Sequence, residues 1–236
     1  MINQFSNAGM HHLFDNAINQ DAISTAQNNR YVAISLADGV STCTAAQQGA
    51  IVACNTLNDL LINKAAFFFQ FDEKQVAEIV ISHILYNLRK QAAEDNEDIG
   101  EYSSTISSVL IDTKAKKAVL INLGDGIILA TAKGKANVLA MPDDSSLGCC
   151  VTTTMNAINS VAIKAIDIRM LDSIAICSDG AWRQMFNKNK LKPEVANILG
   201  NSEYDLLSEF LLKKKCFDDF SFVSVDLKEY TGRKTA

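Results

Sequence analysis

Apolar positions recur with two different spacings along the chain, and the alternation between them sets out its elements. Between residues 18 and 39 two strand-like runs flank the polar turn Gln27-Asn28-Asn29-Arg30, the second being Tyr31-Val32-Ala33-Ile34-Ser35-Leu36-Ala37, which predicts a β-hairpin. Over residues 44–63 the apolar positions are Ala46, Ala50, Ile51, Ala53, Leu57, Leu60 and Leu61, and over 72–94 they are Val76, Ile79, Val80, Ile84 and Leu88. Three- and four-residue spacing of this kind predicts two amphipathic helices. Asp72 is placed to cap the second, with Glu73 in its first turn and Arg89-Lys90 near its end, as the helix dipole favours. His83 lies on the apolar face of the second helix and is expected to be a packing residue.

From residue 103 onward the runs shorten. Strand-like segments at 105–112, 117–123, 127–131 and 136–139, separated by turn residues, predict an antiparallel meander. Residues 145–160 are rich in Ser, Thr and Asn and carry few helix or strand signals, so a mobile flap is expected there. Strands are predicted again at 161–168 and 173–177, then helices at 192–199 and 203–214, then a last strand at 220–227. Strands and helices are grouped rather than strictly alternating. That grouping predicts an α+β fold with helices packed on antiparallel sheets.

Composition narrows the classes. The 236 residues are 48% hydrophobic and 21% charged, enough apolar material for a sizeable core and far from the composition of disordered chains. Only Pro142 and Pro193 break the chain as prolines, and no repetitive or Ser/Gly-rich tract marks a linker, so residues 1–236 are read as a single domain. The net charge of -5, with basic residues gathered only at Lys213-Lys214-Lys215, argues against nucleic acid as a partner. The opening Met1-Ile2-Asn3-Gln4-Phe5-Ser6 lacks the basic start and apolar core of a secretory signal, and no run is long and apolar enough to span a bilayer; a cytoplasmic protein without membrane contact is expected. Cys43, Cys54, Cys149, Cys150, Cys177 and Cys216 show no CxxC spacing and lie mostly in apolar segments, which predicts buried free thiols.

One pattern occurs three times: an apolar strand running into a small residue and then Asp-Gly. It is found at Leu36-Ala37-Asp38-Gly39, Leu123-Gly124-Asp125-Gly126 and Cys177-Ser178-Asp179-Gly180. Asp-Gly is a favoured hairpin turn, but two of the three are followed by helix-like sequence rather than a partner strand. A carboxylate at the end of a buried strand is costly unless paired, and Lys and Arg are scarce in these runs, which leaves a metal cation as the natural partner. Asp21, in Asn19-Gln20-Asp21-Ala22, and the pair Asp218-Asp219 before the last strand have the same context. An all-Asp set without His or Cys favours Mg²⁺ or Mn²⁺ over zinc. The four carboxylates of Asp21, Asp38, Asp179 and Asp218 would formally cancel two dications.

Asn-Gln-Asp-Ala, Ala-Asp-Gly, Ser104-Thr105, Gly-Asp-Gly, Cys-Ser-Asp-Gly-Ala-Trp and Asp-Asp-x-Ser follow one another in an order that resembles the metal-dependent protein phosphatases of type 2C. The resemblance covers residues 9–227. Its opening, Gly9-Met10-His11-His12 with Asn19-Gln20-Asp21, is similar to a bacterial branch with Gly-x-Ser-His followed by Gln-Asp-Ala. It implies a four-layer α-β-β-α sandwich, two antiparallel sheets flanked by helices, with two Mg²⁺ or Mn²⁺ ions bridged by a water that attacks phosphoserine or phosphothreonine. Carried over by position, Asp38 would bridge both ions, the Gly39 carbonyl would bind one, Asp179 and Asp218 would hold the first ion, and Asp21 would act on the second. Asp125, with Asp179, matches the acids of a third, weaker metal site. The implied partner is a phosphorylated protein, the substrate of a Ser/Thr kinase, and the implied state is a monomer.

Four positions depart from the family's pattern. The Arg that clamps phosphate ahead of the Asn-x-Asp is missing, leaving His12 and His11 as candidates for positioning phosphate. Val40 stands where some members carry a His, Arg183 where an Asp is usual after the Ser-Asp-Gly, and Asp219 where an Asn is usual. Two other readings stay open. Cys177 and Arg183 fit the Cys-x5-Arg spacing of thiol phosphatases, and the missing clamp is compatible with a phosphatase-like domain that binds phosphoproteins or regulates a partner without turnover.

Overall fold

The computed structural model describes residues 1–14, 18–141, 151–188 and 190–231. In chain order the first half comprises β1 (Ile2–Asn7), α1 (Met10–Phe14), β2 (Asp21–Gln27), β3 (Tyr31–Asp38), α2 (Ala46–Asn63), α3 (Ala65–Phe68), α4 (Glu73–Asp95), a 3-10 turn (Ile99–Tyr102), β4 (Ile106–Asp112) and β5 (Lys117–Leu123). The second half comprises β6 (Ile127–Ala132), β7 (Lys135–Ala140), α5 (Ala157–Ser160), β8 (Ala162–Asp167), β9 (Ser173–Cys177), α6 (Asp179–Met185), the short hairpin β10 (Phe186–Asn187) and β11 (Lys190–Leu191), α7 (Pro193–Gly200), α8 (Tyr204–Leu212), β12 (Phe220–Asp226) and α9 (Lys228–Thr231).

The long strands form two antiparallel sheets, ordered β1-β12-β9-β6-β7 and β2-β3-β4-β5-β8. Period-two alternation assigns each strand's faces. Val32, Ile34 and Leu36 of β3 join Val109, Ile111 and Leu120 in a cluster shared with Ile128, Ile174, Ile176, Val223 and Val225 of the other sheet, which fills the space between the sheets. Ala33 and Ala37, on the opposite face of β3, pack with Leu57 and Leu61 of α2 and Val80, Ile84 and Leu88 of α4. Cys177 and Phe222 face the other way and pack with Val195, Leu199, Leu207 and Leu211 of α7 and α8. Three apolar layers between four structural layers give the α-β-β-α sandwich, so the expected α+β architecture stands. It also explains why the central strands read as continuous apolar runs: both of their faces are covered.

The predicted meander is corrected. β4 and β5 pair within one sheet, whereas β6 and β7 belong to the other. The chain changes sheets between Leu123 and Ile127, at Gly124-Asp125-Gly126, where Gly124 takes a φ of 106°. Turn signals of this kind do not distinguish a hairpin from a corner between sheets. β1 lacks strong alternation and was not expected; it adds to the edge beside β12. Asp72 caps α4 as predicted, the Gln75 amide donating to its carboxylate at 2.9 Å, and the Gln75 side chain completes a capping box by accepting from the Asp72 amide at 3.3 Å. His83 is corrected as well: it is exposed and lines a polar groove between α2 and α4, one position away from the buried Ile84. Of the expected flap, residues 145–150 lie outside the described residues. The rest is fastened to the fold, the Thr152 amide donating to the Ser104 carbonyl at 2.9 Å and the Ser103 and Thr153 hydroxyls standing 2.5 Å apart. Among the described residues no helix is long and apolar enough to cross a membrane.

Candidate metal centre

The acids are gathered by strand register and by close backbone approach. Asp21, first in β2, is paired with Asp38, last in β3. The end of β3 is fixed by Thr105, whose amide donates to the Asp38 carbonyl at 2.8 Å and whose Oγ1 accepts from the Asp38 amide at 3.0 Å. Asp179 opens α6 directly after β9, and Asp218 precedes β12, the strand paired with β9. Gly180 lets these two segments touch: a Cβ there would stand 2.1 Å from the Asp219 carbonyl oxygen. Gly9 does the same for the N-terminal segment, where a Cβ would be 2.2 Å from the Asp218 backbone. Asp125 sits at the corner between the sheets, its carbonyl accepting from the Trp182 indole at 2.8 Å.

Asp38, Gly39, Val40, Ser41, Thr105, Asp125, Val151, Asp179 and Asp218 line a pocket of about 160 Å³. Asp21 lies beneath it, 8% exposed, with one carboxylate oxygen accepting from Ser178 Oγ at 2.9 Å. That hydroxyl in turn accepts from the Ser221 amide at 2.9 Å. The other oxygen of Asp21, Oδ1, is buried without a hydrogen-bond partner, and so is Oδ1 of Asp179. Burial raises the Asp21 carboxyl from the usual 3.8 to about 7, the nearby Ser221 and Ser178 hydroxyls pulling the other way and Asp219 and Asp179 adding to the rise. Asp38 is raised well above the carboxylate range, first by burial and then by Asp21, Asp179, Asp218 and Asp125. Asp179 rises to about 6 through burial and Asp125, against the pull of Arg183.

This arrangement fits a divalent cation. Buried carboxylate oxygens without donors, set among like charges, are satisfied by an external positive charge. Among the described residues no three His, Cys, Asp or Glu side chains close into a preformed ligand set. Mg²⁺ does not require one, because it keeps several waters and is held through one or two carboxylates. The pocket has room for several waters at about 30 Å³ each.

The candidate phosphate-positioning histidines are placed elsewhere. His12 is 5% exposed, and its Nδ1 lies 2.8 Å from Asp219 Oδ2. Asp219 also accepts from the Gly9 and Gln20 amides at 2.8 and 2.6 Å, so the pair clasps α1 and the start of β2 to the turn before β12. His11 is exposed, its ring 5.3 Å from that of Phe217. Neither lines the pocket. The clasp was not legible as such, since His12 and Asp219 are 207 residues apart. Nor was the Ser178–Asp21 contact, although Ser178 stood within a recognised motif. The thiol reading fails: Cys177 is fully buried on the helix-facing side of β9, and burial pushes its thiol up to about 12. Cys54 and Cys216 are also buried, Cys43 is half-buried, and all four are free thiols. Cys149 and Cys150 lie outside the described residues.

Comparison with known proteins agrees with the fold. The sequence model for Protein phosphatase 2C matches residues 8–212. Among solved structures, a bacterial serine phosphatase superposes with a TM-score of 0.71 at 15% identity, over 100% of this chain and 99% of that one. The Mycobacterium tuberculosis serine/threonine phosphatase PstP/Ppp gives 0.65 at 14% identity, over 96% and 97%. RsbX, solved in complex with magnesium, gives 0.55 at 12% identity, over 94% and 92%. A comparison with curated proteins finds no match. With the family's sequence model spanning most of the chain, and a bacterial serine phosphatase superposing over its full length, this chain belongs to the protein phosphatase 2C family.

Proposed function

We propose that the protein is a Mg²⁺- or Mn²⁺-dependent phosphatase of phosphoserine and phosphothreonine in proteins phosphorylated by a Ser/Thr kinase. The observation that carries this reading is the pocket in which Asp38, Asp179 and Asp218 meet above Asp21, with buried carboxylate oxygens that no protein donor satisfies. Membership of a metal-dependent family and the magnesium held by RsbX support it.

A pair of divalent cations, when bound, supplies Lewis acidity that polarises a phosphoryl oxygen and acidifies water. The residues of the chain prepare for this. Asp38 presents its carboxylate from a strand end locked by Thr105, with the Gly39 carbonyl beside it. Asp179 and Asp218 would hold one ion, and Asp21 would act on the other. The Ser178 hydroxyl fixes one oxygen of Asp21, so the carboxylate does not have to reorganise. His12 acts at one remove, by holding Asp219 and hence the turn that carries Asp218. In the hydrolysis, oxygen from water bonds to phosphorus as the bond to the Ser or Thr oxygen breaks. Val40, on the pocket wall, offers no proton, so the leaving oxygen takes its proton from water or from another group.

The test is phosphate release from a phosphothreonine peptide with Mn²⁺, with chelator and after thiol alkylation, for the parent and Asp38→Ala. The reading expects turnover that chelator and Asp38→Ala abolish and alkylation leaves intact. A folded, metal-binding parent without turnover would point instead to a phosphoprotein-binding module.

A further inference from the structure

The acid cluster is not electrically uniform. Arg183, one helical turn after Asp179 on α6, places Nη2 3.0 Å from Asp179 Oδ2 and 3.9 Å from Asp125 Oδ2. Its side chain is 59% exposed, and the guanidinium lies over the Trp182 ring at 5.9 Å. That indole donates to the Asp125 carbonyl, so the base of the arginine and the acid it reaches are held by one another. On the opposite side no such partner is found among the described residues: the charges that act on Asp38 are those of four other aspartates, and the side-chain hydrogen bond to Asp21 comes from Ser178. Asp179 stands between the two halves. Its Oδ2 faces the guanidinium, while its Oδ1 is buried and unpartnered.

We propose that Arg183 is a built-in cation of this pocket, holding the Asp125–Asp179 corner where a metal ion would otherwise sit and confining bound ions to the side of Asp21, Asp38 and Asp218. Asp179 is then shared, one oxygen committed to the guanidinium and the other open to an ion. Asp125, for which the sequence resemblance implied a third metal, becomes the partner of a protein charge. The planar guanidinium suits this task because it meets two carboxylates at once and cannot lose its proton. Arg183 is a positioning residue here: it acts through Asp179 and Asp125. The inference rests on the reading of the pocket as a cation centre.

Stoichiometry tests it without reference to turnover. Mn²⁺ bound per chain is measured by equilibrium dialysis, with free Mn²⁺ read by its paramagnetic resonance signal, for the parent, Arg183→Ala, Arg183→Gln, Arg183→Lys and the double variant Arg183→Ala with Asp125→Asn. Removal of the positive charge is expected to add one weakly held ion per chain in both the alanine and the glutamine variants. Arg183→Lys should keep the parental number, and Asp125→Asn should abolish the added ion. Two neutral variants are used so that a folding defect in one does not decide the outcome. A parent that binds no Mn²⁺ overturns the reading of the pocket itself. A parent that binds Mn²⁺ in a number indifferent to Arg183, or an added ion that persists without Asp125, overturns the role given to Arg183.

Discussion

Replacing Asp21 by asparagine should make the metal-free protein more stable and the metal-loaded protein less so. In the absence of ions the Asp21 carboxyl is raised from the usual 3.8 to about 7, chiefly by burial. Each unit corresponds to about 1.4 kcal/mol, so ionising this group in the folded state costs on the order of 4 kcal/mol. The sign follows from linkage: a carboxyl raised on folding favours the folded state below pH 4 or so, and that contribution is lost as pH rises through about 7. Asparagine retains an oxygen for the Ser178 hydroxyl, which now donates to Asp21 at 2.9 Å. Its amide nitrogen would occupy the place of Oδ1, which has no hydrogen-bond partner. A buried amide without an acceptor costs about 1–3 kcal/mol. The net expectation at about pH 8 in chelator is a gain of roughly 1–3 kcal/mol, or a rise in Tm of about 2–12 °C for a chain of this size. With saturating Mn²⁺ the order should invert, because the variant has lost a charged ligand. Thermal melts followed by circular dichroism, in chelator and in Mn²⁺ from about pH 5 to pH 8, read both effects. A variant less stable than the parent in chelator at pH 8, or one whose Mn²⁺-induced shift equals the parent's, would refute the reasoning.

Three further substitutions probe the frame around the pocket. His12→Ala leaves Asp219 with its two amide donors but without the imidazole; a loss of about 1–3 kcal/mol in denaturant unfolding is expected, together with weaker Mn²⁺ binding measured by titration calorimetry. Gly180→Ala would drive a Cβ to 2.1 Å from the Asp219 carbonyl, so a loss of several kcal/mol, read as a large fall in Tm, is expected where α6 must separate from the Asp218-Asp219 turn. Cys177→Ala, at a fully buried thiol outside the pocket, should cost stability in urea unfolding while the Mn²⁺-dependent kcat of the folded fraction stays within about twofold.

The layered fold was legible because its strands carry apolar residues on both faces and its two long helices carry clean stripes. What periodicity could not supply was the partner of each strand. β5 and β6 are joined by Gly124-Asp125-Gly126, which reads as a hairpin turn, yet β5 pairs with β4 and β8 while β6 pairs with β7 and β9. For the pocket, the sequence pointed to Asp21, Asp38, Asp125, Asp179 and Asp218 through their place beside strand ends, and the structure brings the last four to line one pocket, with Asp21 buried beside Asp38. The neighbours that tune them were not visible. Arg183 stood out as a departure from one motif and as the end of a Cys-x5-Arg spacing, and its contact with Asp125 depends on how α6 lies against the corner between the sheets. His12 attracted attention as a histidine near a phosphate site, and its burial against Asp219 is a property of tertiary packing that no local signal reports.

The central claim, that the acid pocket is a cation centre, is tested most directly by anomalous X-ray diffraction from crystals grown with Mn²⁺ and measured at the manganese edge. The account predicts anomalous peaks at about 2.1 Å from carboxylate oxygens of Asp38, with the Asp179 oxygen that faces away from Arg183 as a neighbouring ligand. A folded protein at saturating Mn²⁺ with no peak within bonding reach of Asp38 would contradict it.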